Sequence, residues 1–170
     1  RTNVYSRLLG ENAEVRLNGL YALEAAQHAD HQTFVEHIAP GCSSREVYKG
    51  MLDGTSHGVF NGKVFVHPEA QKTDGKQTNK ALLLSEGARV DSKPQLEIFA
   101  DDVKCTHGAT VGRLDETALF YMKSRGIGGD RARALLTYAF AAEVLELIEL
   151  EPLKIALEAS LFARFIQAEQ

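Results

Sequence analysis

Two side chains with metal-binding chemistry stand two residues apart in this chain. They are Cys105 and His107, in the run Val103-Lys104-Cys105-Thr106-His107-Gly108-Ala109-Thr110-Val111-Gly112. In an extended strand, positions two apart share a side, so a thiol and an imidazole project together. A soft sulfur beside a ring nitrogen suits iron, zinc or the edge of a cluster. Two donors do not close a site, and the others must come from elsewhere in the chain or from another chain. Spacing alone favours a plainer reading, a buried thiol beside a satisfied imidazole, because two-residue motifs recur by chance.

The other reactive residues form weaker patterns. His28, His31 and His37 match no standard zinc spacing and read as a solvated turn. Cys42, in Gly41-Cys42-Ser43-Ser44, has no adjoining base and reads as a structural thiol. Gly126-Ile127-Gly128-Gly129-Asp130 lacks the Lys-Ser/Thr pair of a phosphate loop and reads as a hinge between helices. Lys72, Lys76 and Lys80 read as a solvated loop. Asp101 and Asp102 are adjacent and would point opposite ways in a strand, which argues against the paired carboxylates of a carbohydrate-active solenoid. A stand-alone metal-binding module, using Cys105, His107 and other histidines, is the remaining alternative.

The elements that must position these residues follow two grammars. Eleven of the 14 glycines and all six histidines lie in residues 1–112. That part reads as short strands punctuated by turns, with Asn18-Gly19 and Asn61-Gly62 as tight-turn signals and Gly50 as a strand end. Val35, Val47 and Val59 are spaced twelve apart, a weak periodicity favouring a solenoid. Residues 115–170 read as three helices. Asp115 caps the first, which stops at Gly126. Asp130 caps the second, which runs to about Leu150, is apolar on most sides, and should be the central helix. The third runs from Pro152 to about Ala168, with Lys154, Glu158, Arg164 and Glu169 on its charged face. One face of this unit should pack on the end of the β platform. The net charge of −4 argues against nucleic acid. No apolar run reaches the length that spans a bilayer. Two distant cysteines fit a reducing, cytoplasmic setting.

The run around Cys105 also carries a family resemblance. Asp101 to Gly112, continuing as Leu114-Asp115-Glu116, Leu119-Phe120-Tyr121 and Ser124-Arg125-Gly126-Ile127, resembles the SufB/SufD family of iron–sulfur cluster assembly proteins. Gln77-Thr78-Asn79 with Leu82-Leu83-Leu84-Ser85, Lys93-Pro94-Gln95-Leu96-Glu97-Ile98, and Ser44-Arg45 before Lys49-Gly50 fit the same family. The resemblance implies a right-handed parallel β-helix over residues 1–114, followed by a C-terminal helical domain over residues 115–170. It implies a non-catalytic scaffold subunit of an ATP-driven assembly complex. The β-helix would pair with a SufB-like paralogue, and the helical domain would carry a SufC-like ABC ATPase.

An iron–sulfur cluster would form transiently at the interface of the two β-helices, with none tightly bound to the isolated chain. His107 and Cys105 would lie at that interface. Leu119, Phe120, Tyr121 and Arg125 would dock the ATPase, with Glu143 and Glu146 from the acidic stretch Glu143, Glu146, Glu149, Glu151. SufB-type chains carry further cysteines along the β-helix, so the two here point to the SufD side of the family. Family members are longer, and the first β-helix turns are expected to precede Arg1. In isolation, an exposed β-helix face favours a homodimer.

Overall fold

A computed structural model describes residues 1–167. Eight strands come first: β1 Thr2–Leu8, β2 Glu14–Leu23, β3 His28–His37, β4 Ser43–Leu52, β5 His57–Val66, β6 Asp74–Leu83, β7 Arg89–Ile98 and β8 Lys104–Gly112. Odd-numbered strands build one sheet and even-numbered strands the other, each in chain order. Every pairing is parallel. The chain therefore crosses from sheet to sheet and returns one coil further on, a parallel β-helix of about four turns.

Thr2 lies opposite His31 and Glu14 opposite Ser43, each 29 residues on. The β3–β5 pairing also advances by 29 residues, and the remaining ones by 30 to 32. The corners repeat at the same interval, with positive φ at Asn12, Gly41 and Lys72 on one side and at Ala25 and Gly54 on the other. The twelve-residue valine spacing is unrelated to this coil. Val35 pairs with Val64 and is buried, whereas Val47 and Val59 lie on the outward-facing side of their strands.

The strands are longer and less interrupted than their glycines imply. Asn18-Gly19 lies inside β2, Gly50 inside β4 and Asn61-Gly62 inside β5. These glycines serve close approach, not turning. A Cβ on Gly19 would strike the ring of Tyr48, and one on Gly50 the ring of Tyr21. Tyr48 is the register partner of Gly19, and Tyr21 that of Gly50, so each ring lies over a glycine on the neighbouring strand. Lys76 and Lys80 belong to β6, not to a loop. The three histidines lie on β3, not in a turn. His31 packs between the Tyr21 and Tyr48 rings, at 4.8 and 5.7 Å. His37 is buried, with its Nε2 2.9 Å from Ser44 Oγ.

The interior has apolar ends and a polar middle. Leu8, Val35, Cys42, Val64 and Val66 cluster along one edge, and Tyr21, Leu52, Ala81 and Ala88 along the other. Between them Thr33, Glu46, Gln77 and Asn79 are all buried.

The helical unit comprises α1 Glu116–Ser124, α2 Gly129–Leu145 and α3 Glu151–Phe162, then one π-helical turn, Ala163–Gln167. The Asp115 side chain caps α1, accepting from the Thr117 and Ala118 amides. Gly126, at φ +81°, closes its end as the Ile127 amide reaches back to the Met122 carbonyl. Gly128, not Asp130, is the N-cap of α2; Asp130 lies inside the first turn. This helix ends at Leu145, five residues short of Leu150, where residues 146–150 form a linker to α3. Ala168 and Glu169 lie outside the described residues. Rather than covering an end of the solenoid, α2 packs on its flank, on β2 and β4. Met51 and Leu82 meet Ala141 there, with Leu20, Ala22, Phe140 and Phe165 around them. Lys49 belongs to the same contact. It is 2% exposed, donates to the Phe140 carbonyl at 3.0 Å, pairs with Glu143, and lies 4.4 Å from the Phe140 ring centroid.

Candidate functional site

Because the helices flank the β-helix, nothing among the described residues covers its last coil, β7 and β8. Both are edge strands, with β5 and β6 as their sole sheet partners. Along β8, inward-facing positions are opposite buried residues of β6: Cys105 opposite Gly75, His107 opposite Gln77, Ala109 opposite Asn79, and Val111 opposite Ala81. From Thr106 onward, however, the strand is exposed, because no further coil is stacked on it.

Cys105 is half-buried and packs against the apolar edge cluster. Its sulfur lies against Gly75, where a Cβ would come within 3.3 Å of it. Burial pushes its thiol up, the Gly75 backbone partly opposes this, and Asp74 adds to it. The thiol is therefore held in its protonated form more firmly than a free cysteine, and a metal ligand there would have to displace that proton. His107, two positions on, is on the same side of β8 and exposed. The two therefore share one side of β8 at the open end of the β-helix. Among the described residues, no three histidine, cysteine or acidic side chains group closely enough to hold a metal ion. The donor set, one thiol and one imidazole, fits half of a soft-metal or cluster site.

Two residues beneath His107 were not singled out from sequence. Leu17, Glu46, Gln77 and His107 occupy successive rungs of one inward-facing column. Gln77 Nε2 donates to Glu46 Oε2 at 2.7 Å. Gln77 Oε1 and Glu46 Oε1 are buried without a partner. Burial pushes the Glu46 carboxyl up, against the lowering effect of neighbouring hydrogen bonds. The period-2 pattern of residues 74–83 carried this signal, because Lys76 and Lys80 face out where Gln77 and Asn79 face in.

The helical candidates separate by exposure. Phe120 is 73% exposed and Tyr121 58%, whereas Leu119 at 2% is buried and offers no surface. Arg125 lies 5.0 Å from the Tyr121 ring centroid and donates to its hydroxyl at 2.9 Å. The acidic stretch is largely engaged within the chain. Glu143 pairs with Lys49, Glu146 with Lys154 at 3.3 Å, and Glu149 with Arg16 at 2.6 Å. On α3, Leu153, Ile155, Leu157 and Phe162 are exposed. No helix of the described residues is long and apolar enough to cross a membrane.

Fold and site together define a class: a parallel β-helix with a helical unit on its flank and a thiol–imidazole pair at an uncovered end. Residues 1–140 match the family described as SUF system FeS cluster assembly, SufBD core domain. The chain is 46% identical over 154 residues to the iron-sulfur cluster assembly protein SufD of Escherichia coli K12, covering 91% of this chain and 36% of that protein. It is 37% identical over 154 residues to a SufBD family protein of Synechocystis, covering 91% and 34%. Against SufD of Bacillus subtilis the identity is 34% over 128 residues, covering 75% and 29%. The chain belongs to the SufB/SufD family of iron–sulfur cluster assembly proteins, on its SufD side. It spans about a third of the length of these relatives.

Proposed function

We propose that this chain belongs to a non-catalytic scaffold subunit on which iron–sulfur clusters are assembled, working in the cytoplasm beside a SufB-like paralogue and a SufC-like ABC ATPase. The observation that carries the reading is the uncovered last coil, with Cys105 and His107 on its inward side. Half a ligand set at an open edge is the arrangement that a second chain completes. The free main-chain groups of an edge strand are themselves a template for pairing. The cluster is cargo: a thiolate and an imidazole hold iron without redox or acid–base work by the protein. His107, neutral as a ligand, contributes a nitrogen donor without adding charge. The paralogue supplies the remaining thiolates.

The helical unit is the proposed ATPase platform. Phe120 and Tyr121 are its two most exposed aromatics, and such side chains anchor interfaces at low entropic cost. Arg125 contacts the Tyr121 ring and donates to its hydroxyl. The free cysteines, Cys42 and Cys105, suit a reducing compartment.

Hydrogen–deuterium exchange of the full-length protein, with and without the paralogue, tests the pairing. The amides of residues 104–112 should become protected when the paralogue is added. Unchanged exchange there, with protection appearing elsewhere, would move the interface off the open end.

A further inference from the structure

The column beneath His107 has a direction. Whatever the charge of the group, a carboxyl oxygen that carries no proton accepts a hydrogen bond and does not donate one. Glu46 therefore takes the amide NH2 of Gln77, which it does at 2.7 Å. That choice fixes which end of the Gln77 amide faces Glu46 and which end faces away. The oxygen, Oε1, is left buried and without a partner. Gln77 has little freedom to turn over. It is fully buried, and its Nε2 lies so close to Gly62 that even a methyl group there would displace it. On the side away from Glu46, the neighbouring rung of the column is His107. Strands in a sheet are about 4.8 Å apart, so an imidazole on that rung is within reach of the orphaned oxygen.

We infer that Gln77 is a positioning residue for His107. Its Oε1 accepts one ring N–H of His107 and so fixes the imidazole's tautomer and orientation. The other ring nitrogen, with its lone pair, is then turned to the open end, where iron arrives. A histidine that binds metal through one nitrogen ordinarily donates the other N–H to an oxygen acceptor, and loss of that acceptor typically weakens the site 10- to 100-fold. Here the acceptor is a neutral amide whose polarity is set one rung deeper by Glu46. Neither residue touches the cluster. The inference rests on the proposed role of His107 as a ligand.

Two readouts on the full-length protein test it. The first is the tautomer of His107 in 15N-histidine spectra, with its signal assigned by difference from His107→Ala. The second is cluster yield in the complex reconstituted with the paralogue and the ATPase. Gln77→Leu keeps the volume and removes the acceptor. It should turn a single His107 tautomer into a mixture and lower cluster yield about tenfold, while the complex still forms. The exchange variant, Glu46→Gln with Gln77→Glu, restores an amide donating to a carboxylate whose second oxygen faces His107. It should recover both readouts, which a merely structural fault in Gln77→Leu would not allow. A single tautomer and full yield in Gln77→Leu, with yield lost in His107→Ala, would overturn the positioning role and leave the ligand role intact. Full yield in His107→Ala would overturn the ligand role instead, and the tautomer would still decide whether Gln77 holds the ring.

Discussion

Burial of His37 makes the fold sensitive to mild acid. Its ring is fully enclosed and burial lowers its pKa to about 4, below the ordinary 6.5. The folded chain therefore resists a proton that the unfolded chain accepts. The stability tied to the neutral ring is complete above pH 6.5 and is lost as the pH falls towards 4, a change on the order of 3 kcal/mol. Glu46 works with the opposite sign. Its carboxyl is pushed up, so its contribution is complete at low pH and is lost as the pH rises through the raised pKa. Melting temperature followed from pH 7 to pH 4 should fall in the native chain and fall less in His37→Gln; parallel slopes would assign the acid limb to another group. At this scale the sequence was legible where a motif carried the residue. Cys105 and His107 were visible as a pair two apart in a strand. Glu46 and Gln77 were not: the alternation of residues 74–83 sets Gln77 apart from Lys76 and Lys80, but an inward polar residue is told from a surface one only once the coil register is known.

Strand existence was readable from turn-punctuated β-branched runs, but strand length was not. Asn-Gly and lone glycines signal turns when nothing else is known. Here Gly19 and Gly50 exist to receive aromatic rings from the neighbouring strand. Gly50→Ala should therefore cost about 1–3 kcal/mol by overpacking, measured by chemical denaturation. A loss below about 0.5 kcal/mol would mean that Tyr21 moves aside freely. The flank of the β-helix depends on another residue that sequence reading passed over. Lys49 is hidden beneath α2, and its ammonium meets the Phe140 carbonyl and Glu143. Lys49→Ala leaves that carbonyl without its donor and opens a void under the helix. The expected loss is about 1–3 kcal/mol, discounted because Glu143 itself is exposed. Lys49→Met, which keeps the stem, should lose less. Equal losses would make the charge, and not the packing, decisive. The helix boundaries at 115 and 126 were legible because Asp115 and Gly126 have local capping roles. The start of α2 was not, because its cap is a glycine without a side-chain signature.

At the scale of the whole molecule, the helices lie on the side of the β-helix, and none of the described residues covers its last coil. The family signature made the solenoid readable, whereas the flank docking of α2 depends on long-range contacts that no local pattern encodes. An uncovered edge favours self-association, so the isolated chain should dimerise through β8 in light scattering, and Val111→Lys should shift it to monomer. A wild-type monomer at high concentration would count against an adhesive end. Phe120→Asp with Tyr121→Asp should weaken ATPase binding at least tenfold without unfolding the chain, because both side chains are already exposed. Unchanged binding in a pull-down would move the platform to the apolar face of α3. Above all, the open end is proposed to hold the cluster through His107. Its most direct test is iron and acid-labile sulfide bound to the reconstituted full-length complex carrying His107→Ala. The complex should stay intact with its cluster lost; an intact complex with a wild-type content of iron and sulfide would show that His107 does not hold the cluster.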